Sequence, residues 1–338
     1  MKVQIVRPKD LGDDEVERWR SLQRTSSALS PFLSFSFARV VDGFRPNVRV
    51  AVVEDENRIV AFLPFEGEVN SVAQPIGWPM NDVQGIISTD SPPEIRRVVR
   101  MAGLRAWRFD NVPASQSILL EHRYNVPVRH AAYADLSNGY DGYMADRSRT
   151  VLKEFRRRQR LLEREVGVVS FDWHSGSSAH LERLIEWKSA QYRRTNVTGV
   201  YDVFKNPANV SIIRALSETD QIDCRGVVSV LRIEDRPIAL RFGMLGPGGL
   251  ASQFPTYDRE FSRYSPGTML WFALAEAAFA RQVYRVDFGG GDESYKSQIA
   301  TDSYALVAGC VWGRPLEGCI RKVGSELLRR IRRQTESA

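Results

Sequence analysis

The chain has 338 residues, of which 43% are hydrophobic and 26% are charged, a composition that fits a globular protein of about two domains. No apolar run reaches the roughly 18 residues that a transmembrane helix needs, and the N-terminus does not resemble a signal peptide. The three cysteines and four histidines lack the spacing of metal ligands, so we expect no metal centre and reduced thiols in a cytoplasmic protein.

The net charge of +6 is concentrated in two segments, 147–165 and 320–338. The first segment carries eight Arg or Lys against three Glu, and the second carries six against two. The rest of the chain is therefore slightly acidic, and the basicity belongs to two predicted helices.

Predicted strands and helices alternate through the first part of the chain. They are a strand at 1–6, a helix at 13–24, a hairpin at 47–53 and 58–65, a helix beginning near 92 and a strand at 107–109. A loop rich in Gly and Pro, residues 75–87, follows the hairpin. The pattern up to about residue 133 predicts one mixed α/β unit.

The second part begins near Leu136 and contains longer elements. They are a basic helix at 139–167, a strand at 168–173, helices at 180–195 and 210–218, a three-strand meander at 224–258, a helix at 266–281, a strand at 283–288, a short helix from about 294 and a strand at 304–312. The two parts share an outline, which predicts two tandem copies of one α/β fold. We place the domains at 1–134 and 135–319, followed by a basic amphipathic tail at 320–338.

The start of the helix near residue 266 is the most informative local feature. Ser265 suits the N-cap, Pro266 suits the first helical position, and Gly267 leaves the backbone unshielded. Unpaired N–H groups and the helix dipole at such a terminus bind anionic groups. The sequence therefore predicts an anion site here.

Several segments together resemble a known family. They are LPF at 63–65, PIGWPMNDVQGII at 75–87, KEFRRRQRLLERE at 153–165, WKSAQYRRT at 187–195, PTYDREFSRYSPGTML at 255–270 and RVDFGGGDESYK at 285–296. The chain resembles the CelD-like (cellulose-biosynthesis type) acyltransferases of the GNAT superfamily, which are related to the FemAB aminoacyltransferases. The specific part of the resemblance is the pair SPG and D-F-G-x-G-D-x-x-Y-K.

The resemblance implies two tandem GNAT-like domains, each a mixed, mostly antiparallel twisted sheet flanked by helices. It implies that the C-terminal domain binds acetyl-CoA or another acyl-CoA, without a metal. The implied donor-binding residues are Phe254, Thr256, Tyr257, Arg263, Ser265, Gly267 and Thr268. The pyrophosphate loop departs from the usual Q/R-x-x-G-x-G/A pattern, since 260–267 keeps only the last glycine.

Acyl transfer from a thioester needs a base for the acceptor and an acid for the thiolate. The resemblance places a tyrosine past the second strand beside the sulfur of CoA, which makes Tyr295 the candidate acid; a packing role is the alternative. Asp258 and Asp287 are candidate bases. Asp258 could instead cap a turn, and Asp287 could instead pair with an arginine. The three glycines at 289–291 lack the Lys-Ser/Thr of a P-loop and favour a turn over an ATP site.

Two groups of residues are candidates for binding the acceptor. By resemblance, the loop carrying Trp78, Asn81 and Asp82 faces a cleft between the domains, and so does one face of the helix at 180–195. The predicted acceptor-binding residues are Trp78, Asn81, Asp82, Lys188, Gln191, Tyr192 and Lys296. The alternatives are a packed turn for the loop, a solvated face for the helix, and for Lys296 an exposed lysine or a contact with a phosphate.

The leading hypothesis is an acyl-CoA-dependent N- or O-acyltransferase that acts on a sugar or a lipid-linked saccharide in exopolysaccharide or cell-envelope biosynthesis. The basic segments 147–164 and 320–333 could contact the inner, anionic face of the plasma membrane. Aromatic residues are nearly missing from them, which disfavours nucleic acid. The alternatives are aminoacyl transfer from aminoacyl-tRNA, and a non-catalytic scaffold of a polysaccharide synthase.

Overall fold

The computed structural model describes residues 1–25, 29–291 and 295–314. The predicted basic tail at 320–338 lies outside the described residues, and so does the predicted start of the short helix near 294. No helix in the described ranges is long and apolar enough to cross a membrane.

The elements of the first part follow in chain order. They are β1 (Lys2–Val6), α1 (Asp13–Thr25), α2 (Phe35–Asp42), β2 (Val48–Asp55), β3 (Arg58–Glu66), β4 (Val72–Ala73), β5 (Ile87–Ser88), α3 (Ile95–Met101), β6 (Ala106–Pro113) and β7 (Arg129–Asp135).

The elements of the second part continue the numbering. They are α4 (Gly139–Ala145), α5 (Arg149–Glu165), β8 (Val169–Asp172), α6 (Ser178–Arg194), α7 (Pro207–Ser217), β9 (Asp220–Gln221), β10 (Cys224–Ile233), β11 (Arg236–Gly246), β12 (Gly249–Tyr257), α8 (Pro266–Phe279), β13 (Arg285–Gly290), α9 (Lys296–Ile299) and β14 (Asp302–Trp312).

The described chain forms two compact units. The first contains 1–25, 47–129 and 305–314, and the second contains 29–46, 130–291 and 295–304. The sequence-based domain boundary between residues 134 and 135 stays a prediction.

The first unit is built on an antiparallel sheet in the order β1-β2-β3-β5. Helix α1 covers it because Val16, Trp19 and Leu22 recur at helical spacing on one face. Trp19 stacks on Phe62 of β3 with ring centroids 4.8 Å apart. Strand β6 pairs with β4 and with the 306–312 part of β14.

The second unit contains a sheet in the order β7-β13-β12-β11-β10-β8, in which only β12 and β13 run parallel. Neighbouring residues of β10 show that helices cover both faces. Gly226 lies against the end of α7, whereas Val227 packs in one cluster with Trp271 and Phe272 of α8. Adjacent residues of a strand point to opposite faces, so α7 and α8 lie on opposite sides of the sheet. This is the predicted mixed, mostly antiparallel α/β architecture.

The single basic helix predicted at 139–167 was wrong, because the chain forms α4 and α5 with a break between them. Ser148 has extended backbone angles, and its Oγ accepts a hydrogen bond from the Val151 N–H at 3.2 Å. This N-cap begins a new helix and so ends the previous one. Gly139 and Gly142 leave α4 with little intrinsic helix preference.

Candidate functional site

Strands β12 and β13 meet only at their beginnings. Leu250 pairs with Val286, and Ala251 pairs with Asp287; in the part of the chain that the structure describes, their pairing ends there. Beyond this point β13 pairs with β7 on its other side, and β12 continues to Tyr257 beside β11. The backbone of 252–257 therefore presents an edge to whatever lies between the two strands.

A bulge changes the direction of β12 in the middle of this edge. The pairing with β11 jumps from Gln253 to Thr256, and Phe254 has a φ of 52°. The Phe254 ring packs edge-on against Phe204, with centroids 5.0 Å apart. Bulges of this kind re-aim backbone groups next to functional sites.

Lys188 of α6 holds the bulge. Its Nζ donates to the Pro255 carbonyl at 2.9 Å and to Gln191 Oε1 at 3.2 Å, and the residue is only 8% exposed. The ammonium group also lies 5.5 Å from the centroid of the Tyr192 ring. The three predicted acceptor-binding residues of α6 thus form one group against β12.

The first turn of α8 lies at the far end of the same edge. Ser265 takes a left-handed conformation (φ 56°, ψ 56°), and Pro266 occupies the first helical position. The N–H groups of Thr268 and Met269 donate to the Ser265 carbonyl. The Gly267 N–H has no acceptor among the described residues. A Cβ at Gly267 would meet only Tyr257 Cδ1, at 3.7 Å, so Tyr257 and the unshielded amide lie side by side.

A cationic side chain of α5 also contacts this turn. Arg158 of α5 donates to Ser265 Oγ, and Glu154 holds the same guanidinium. The hydroxyl of Ser265 therefore makes no cap bond, in contrast to its predicted role as a capping side chain. The arrangement places an arginine, a helix N-terminus and an unpaired amide together, a set that suits phosphate oxygens.

Arg263, predicted to help bind the donor, is paired within the protein. Its guanidinium donates to Glu165 at 2.9 Å and lies over the Tyr264 ring at 4.6 Å. The Tyr264 hydroxyl donates to the same Glu165 carboxylate at 2.9 Å. Thr256 is buried in β12, and Tyr257 is 41% exposed at its end.

Asp287 lies at the point where β12 and β13 part. Its Oδ1 accepts the Gly289 N–H at 2.8 Å, and its Oδ2 accepts the Tyr304 hydroxyl at 2.7 Å. Burial raises the pKa of Asp287, although the two hydrogen bonds and the charges of Arg285 and Lys296 act in the opposite direction. Burial thus makes this carboxylate a better proton acceptor than an exposed one.

Lys296 supports the turn that follows Asp287. It is 5% exposed, and its Nζ donates to the carbonyls of Gly290 at 2.8 Å and Gly289 at 3.3 Å. Gly289 has a φ of 68°, which a residue with a side chain rarely adopts.

The other two predicted catalytic residues lie elsewhere in the second unit. Asp258 accepts the Glu260 N–H at 3.1 Å as the cap of the short 3₁₀ helix Arg259–Tyr264, and it pairs with Arg236 at 2.8 Å. Tyr295 stacks on Trp271 of α8, with centroids 6.0 Å apart and ring planes at 9°.

The predicted acceptor-binding loop of the first unit is a hydrogen-bonded network. Trp78 Nε1 donates to Asp110 at 3.0 Å, and Asn81 Nδ2 donates to the Ile76 carbonyl at 2.7 Å. Asn81 is 2% exposed, and Asp82 beside it is partly buried. The loop residues are therefore held by unit-internal contacts.

Sequence reasoning missed three residues of the site: Arg158, Phe204 and Tyr304. Arg158 stands in a run of three arginines, and only its contact with Ser265 distinguishes it. Tyr304 opens the predicted last strand, and its contact with Asp287 depends on pairing between strands that are distant in sequence. Within the described residues, no group of three or more His, Cys, Asp or Glu could hold a metal ion.

Comparison with known proteins gives one match in sequence and many in fold. Residues 149–297 match the profile of the family described as an acetyltransferase (GNAT) domain. No curated protein matches the chain.

Solved structures with the same fold span nearly the whole chain. FemX superposes with a TM-score of 0.61 at 9% identity, covering 92% of this chain and 96% of FemX. L-PGS from Bacillus licheniformis has a TM-score of 0.55 at 10% identity, with coverage of 94% and 96%. A tandem GNAT protein from the clavulanic acid biosynthesis pathway has a TM-score of 0.51 at 10% identity, with coverage of 94% and 100%.

At such low identity the structural likeness establishes the fold alone, which is the GNAT fold that the sequence predicted. The family match covers α5 to α9, which includes the divergent strands, the first turn of α8 and Asp287. Residues 149–297 therefore match a GNAT-type acetyltransferase domain, and the protein is an acyltransferase.

Proposed function

We propose that the protein transfers an acyl group, acetyl foremost, from acyl-CoA to a nitrogen or oxygen of a sugar or lipid-linked saccharide in cell-envelope polysaccharide synthesis. The observation that carries the donor assignment is the edge of β12 that ends beside the unshielded Gly267 amide. The saccharide acceptor rests on the resemblance to CelD-like acyltransferases.

The donor has two chemically different parts, and the second unit offers a surface for each. The phosphates suit the first turn of α8, where the Gly267 N–H, Ser265 and Arg158 converge. The pantetheine arm carries amides, which suit the backbone edge of 252–257. That edge is about 20 Å long at about 3.3 Å per residue, so a donor lying along it brings the thioester toward Ala251 and Asp287.

We assign the chemical roles as follows. Tyr295 is the proposed acid for the thiolate, and Asp258 and Asp287 are the proposed bases. The two aspartates cannot serve the same acceptor, because Asp258 follows Ala251 by seven strand residues, or about 23 Å. Proposed acceptor contacts within the second unit come from Lys188, Gln191, Tyr192 and Lys296, whereas the acceptor contacts of Trp78, Asn81 and Asp82 stay predictions from the sequence.

Isothermal titration of the full chain with acetyl-CoA and longer acyl-CoAs tests the donor. Gly267→Trp should weaken binding at least tenfold, because the indole covers the amide and the Tyr257 ring beside it. Gly267→Ala is the matched control, since its Cβ makes an ordinary contact at 3.7 Å and leaves the amide accessible.

Two results would contradict the proposal. Binding of none of the acyl-CoAs by the wild-type protein would remove the donor assignment. Equal affinity of Gly267→Trp and Gly267→Ala would remove the anion site while leaving the donor class intact.

Aminoacyl transfer from aminoacyl-tRNA is the second candidate, and one observation favours it. Arg149, Lys153, Arg156 and Arg160 of α5, which we call the basic stripe, are exposed and have no ion-pair partner among the described residues. A basic surface of this kind can neutralise phosphates. Titration with charged tRNA over a salt series separates the candidates, because tRNA affinity should fall steeply with salt, whereas absent binding at low salt would remove this candidate.

A further inference from the structure

We propose that Asp287 and Tyr304 work as a pair in acyl transfer, with Asp287 accepting the proton of the acceptor nucleophile and Tyr304 positioning its carboxylate. The inference rests on the proposed function and deepens it, since it chooses between the two candidate bases and adds a positioning residue.

Asp287 lies where the thioester of the donor is expected. Asp287 is the last residue of β13 that pairs with β12, so it lies at the apex of the gap between the strands. A donor laid along 252–257 with its phosphates at α8 brings its thioester toward this end. The Asp287 side chain is 18% exposed, so a small group can reach it from the gap.

The Asp287 side chain points away from α8. Val286 and Phe288, the neighbours of Asp287, pack in the cluster that contains Trp271 and Phe272 of α8. Asp287 therefore points to the opposite face of the sheet, because neighbouring strand residues alternate. Phe242 of β11 pairs with Val228 of β10, and paired residues point to the same face of a sheet. Val228 lies two residues from Gly226, so this is the face that α7 covers. The Phe254 ring at the β12 bulge stacks on Phe242 and therefore lies on the same face. The phosphate-binding turn and the proposed base thus belong to different faces of one gap.

Hydrogen-bond donors and charged groups surround the Asp287 carboxylate. Charged and titratable side chains near Asp287 come from β13, β7, α9 and β14, and they are Arg285, Tyr133, Asp135, Lys296, Asp302 and Tyr304. The Arg285 guanidinium lies 3.9 Å from Asp287 and also covers the rings of Tyr133 and Tyr304. The Asp287 carboxylate is therefore fixed by a donor on each oxygen while one lone pair of each oxygen stays available.

Asp258 does not offer the same chemistry. Its Oδ1 accepts a hydrogen bond from the Glu260 N–H, and its Oδ2 accepts one from the Arg236 guanidinium. These contacts give Asp258 the role of a structural cap. It lies at the end of β12, beyond Tyr257, where the phosphates of the donor are expected.

The step is balanced without a further reactant. The acceptor nitrogen or oxygen forms a bond to the thioester carbonyl carbon, and its proton passes to the Asp287 carboxylate. The carbon–sulfur bond then breaks, and the electron pair leaves with the thiolate. Tyr295, the proposed acid, gives its proton to the thiolate and regains one from Asp287 through solvent, which gives the acylated acceptor, free CoA and both side chains in their original states.

The test measures the pH dependence of CoA release from acetyl-CoA with glucosamine as the nucleophile. Asp287→Asn should lower kcat/KM by about 100-fold or more, the size expected for a lost general base, while the affinity for acetyl-CoA changes little. Asp235→Asn, at an exposed aspartate of the turn between β10 and β11, is the matched control and should retain the wild-type rate within a few fold.

Tyr304→Phe gives the more specific readout. Tyr304 lowers the pKa of Asp287 by donating to its charged form, so its removal should raise that pKa further. The active carboxylate then requires a higher pH, and the acidic limb of the profile should move up by about 0.5 to 1 pH unit. Carbon-13 NMR titration of the aspartate carboxyl groups should give the same upward shift without any acceptor.

Each outcome decides one question. An unmoved Asp287 titration in Tyr304→Phe, or an unchanged rate in a folded Asp287→Asn, overturns the pair but leaves the acyl-CoA proposal standing. Failure of the wild-type protein to bind any acyl-CoA overturns the proposed function itself, and the pair with it. A fall in melting temperature of Tyr304→Phe without a shift of the acidic limb assigns Tyr304 a purely structural role and overturns its positioning role.

Discussion

At the scale of single residues, Lys188 shows how a buried charge can shape a strand. Its ammonium group is removed from solvent, which costs free energy unless other groups replace the water. The Pro255 carbonyl, the Gln191 side chain and the Tyr192 ring do so. Since the carbonyl belongs to the bulge, the lysine fixes the conformation of the β12 edge to which we assign the donor.

Lys188→Met should therefore lower stability and weaken donor binding together. The partly buried Pro255 carbonyl loses its partner, which costs about 1–3 kcal/mol of unfolding free energy, and the bulge relaxes. Urea denaturation and the KM for acetyl-CoA measure the two effects. Arg193→Met on the same helix is the control, since Arg193 is exposed and should change stability by less than about 0.5 kcal/mol. Equal behaviour of the two variants would contradict the assigned role.

Residues whose role is local were predictable from the sequence, and residues whose role depends on distant strands were not. The start of α8 at Pro266 was predicted because capping and proline rules act within a few residues. Arg241 resembles an exposed strand residue in the sequence, yet it is fully buried and burial lowers its pKa to about 9. Its space exists because Gly243 has no side chain: a Cβ there would lie 1.8 Å from Arg241 Nη2.

At the scale of elements, close packing of α7 on β10 depends on one glycine. A Cβ at Gly226 would lie 2.2 Å from the Leu216 carbonyl oxygen and 2.6 Å from the Cα of Ser217. Both atoms belong to the backbone at the end of α7, so a side-chain rotation cannot relieve the contact. The helix can approach the strand this closely only where the strand has no side chain.

Gly226→Ala should destabilise the protein by about 1–3 kcal/mol, the usual cost of overpacking a core, because α7 must move away from the sheet. Gly176→Ala is the matched control, since nothing lies within 4 Å of its Cβ position. Thermal unfolding of both variants measures the difference. A Gly226→Ala protein as stable as Gly176→Ala would show that α7 does not pack here as described.

Like single residues, helices and strands were predictable from the sequence where the signal is local, and not where it depends on distant contacts. The hairpin of β2 and β3 and the meander of β10 to β12 were predicted correctly, because alternation and polar turns are local signals. Helix α2 was not predicted, since its mostly apolar sequence also fits a strand. Its position depends on Asp223, whose carboxylate accepts both the N–H and the hydroxyl of Ser36 from 187 residues away in sequence.

At the scale of the whole molecule, the positive charge is unevenly neutralised. Within α5, Arg157 and Arg158 pair with Glu154, and Arg164 pairs with Glu165. The members of the basic stripe follow one another at intervals of four, three and four residues, so they lie along one face of α5 over about 16 Å. A linear row of unneutralised cations without aromatic side chains suits a diffuse anionic surface better than stacked bases.

Replacing all four residues of the basic stripe with glutamine lowers the net charge of the chain from +6 to +2. Each cation near an anionic bilayer contributes about 1 kcal/mol, so co-sedimentation with vesicles containing phosphatidylglycerol should fall at least tenfold at low salt. The control replaces Arg157 and Arg164, which are already paired on the same helix and should matter less. Vesicles of phosphatidylcholine alone should bind neither protein, because they offer no net charge.

Equal sedimentation of the stripe variant and the control would contradict a role of the stripe in membrane contact. A loss confined to tRNA binding would favour the second candidate function instead.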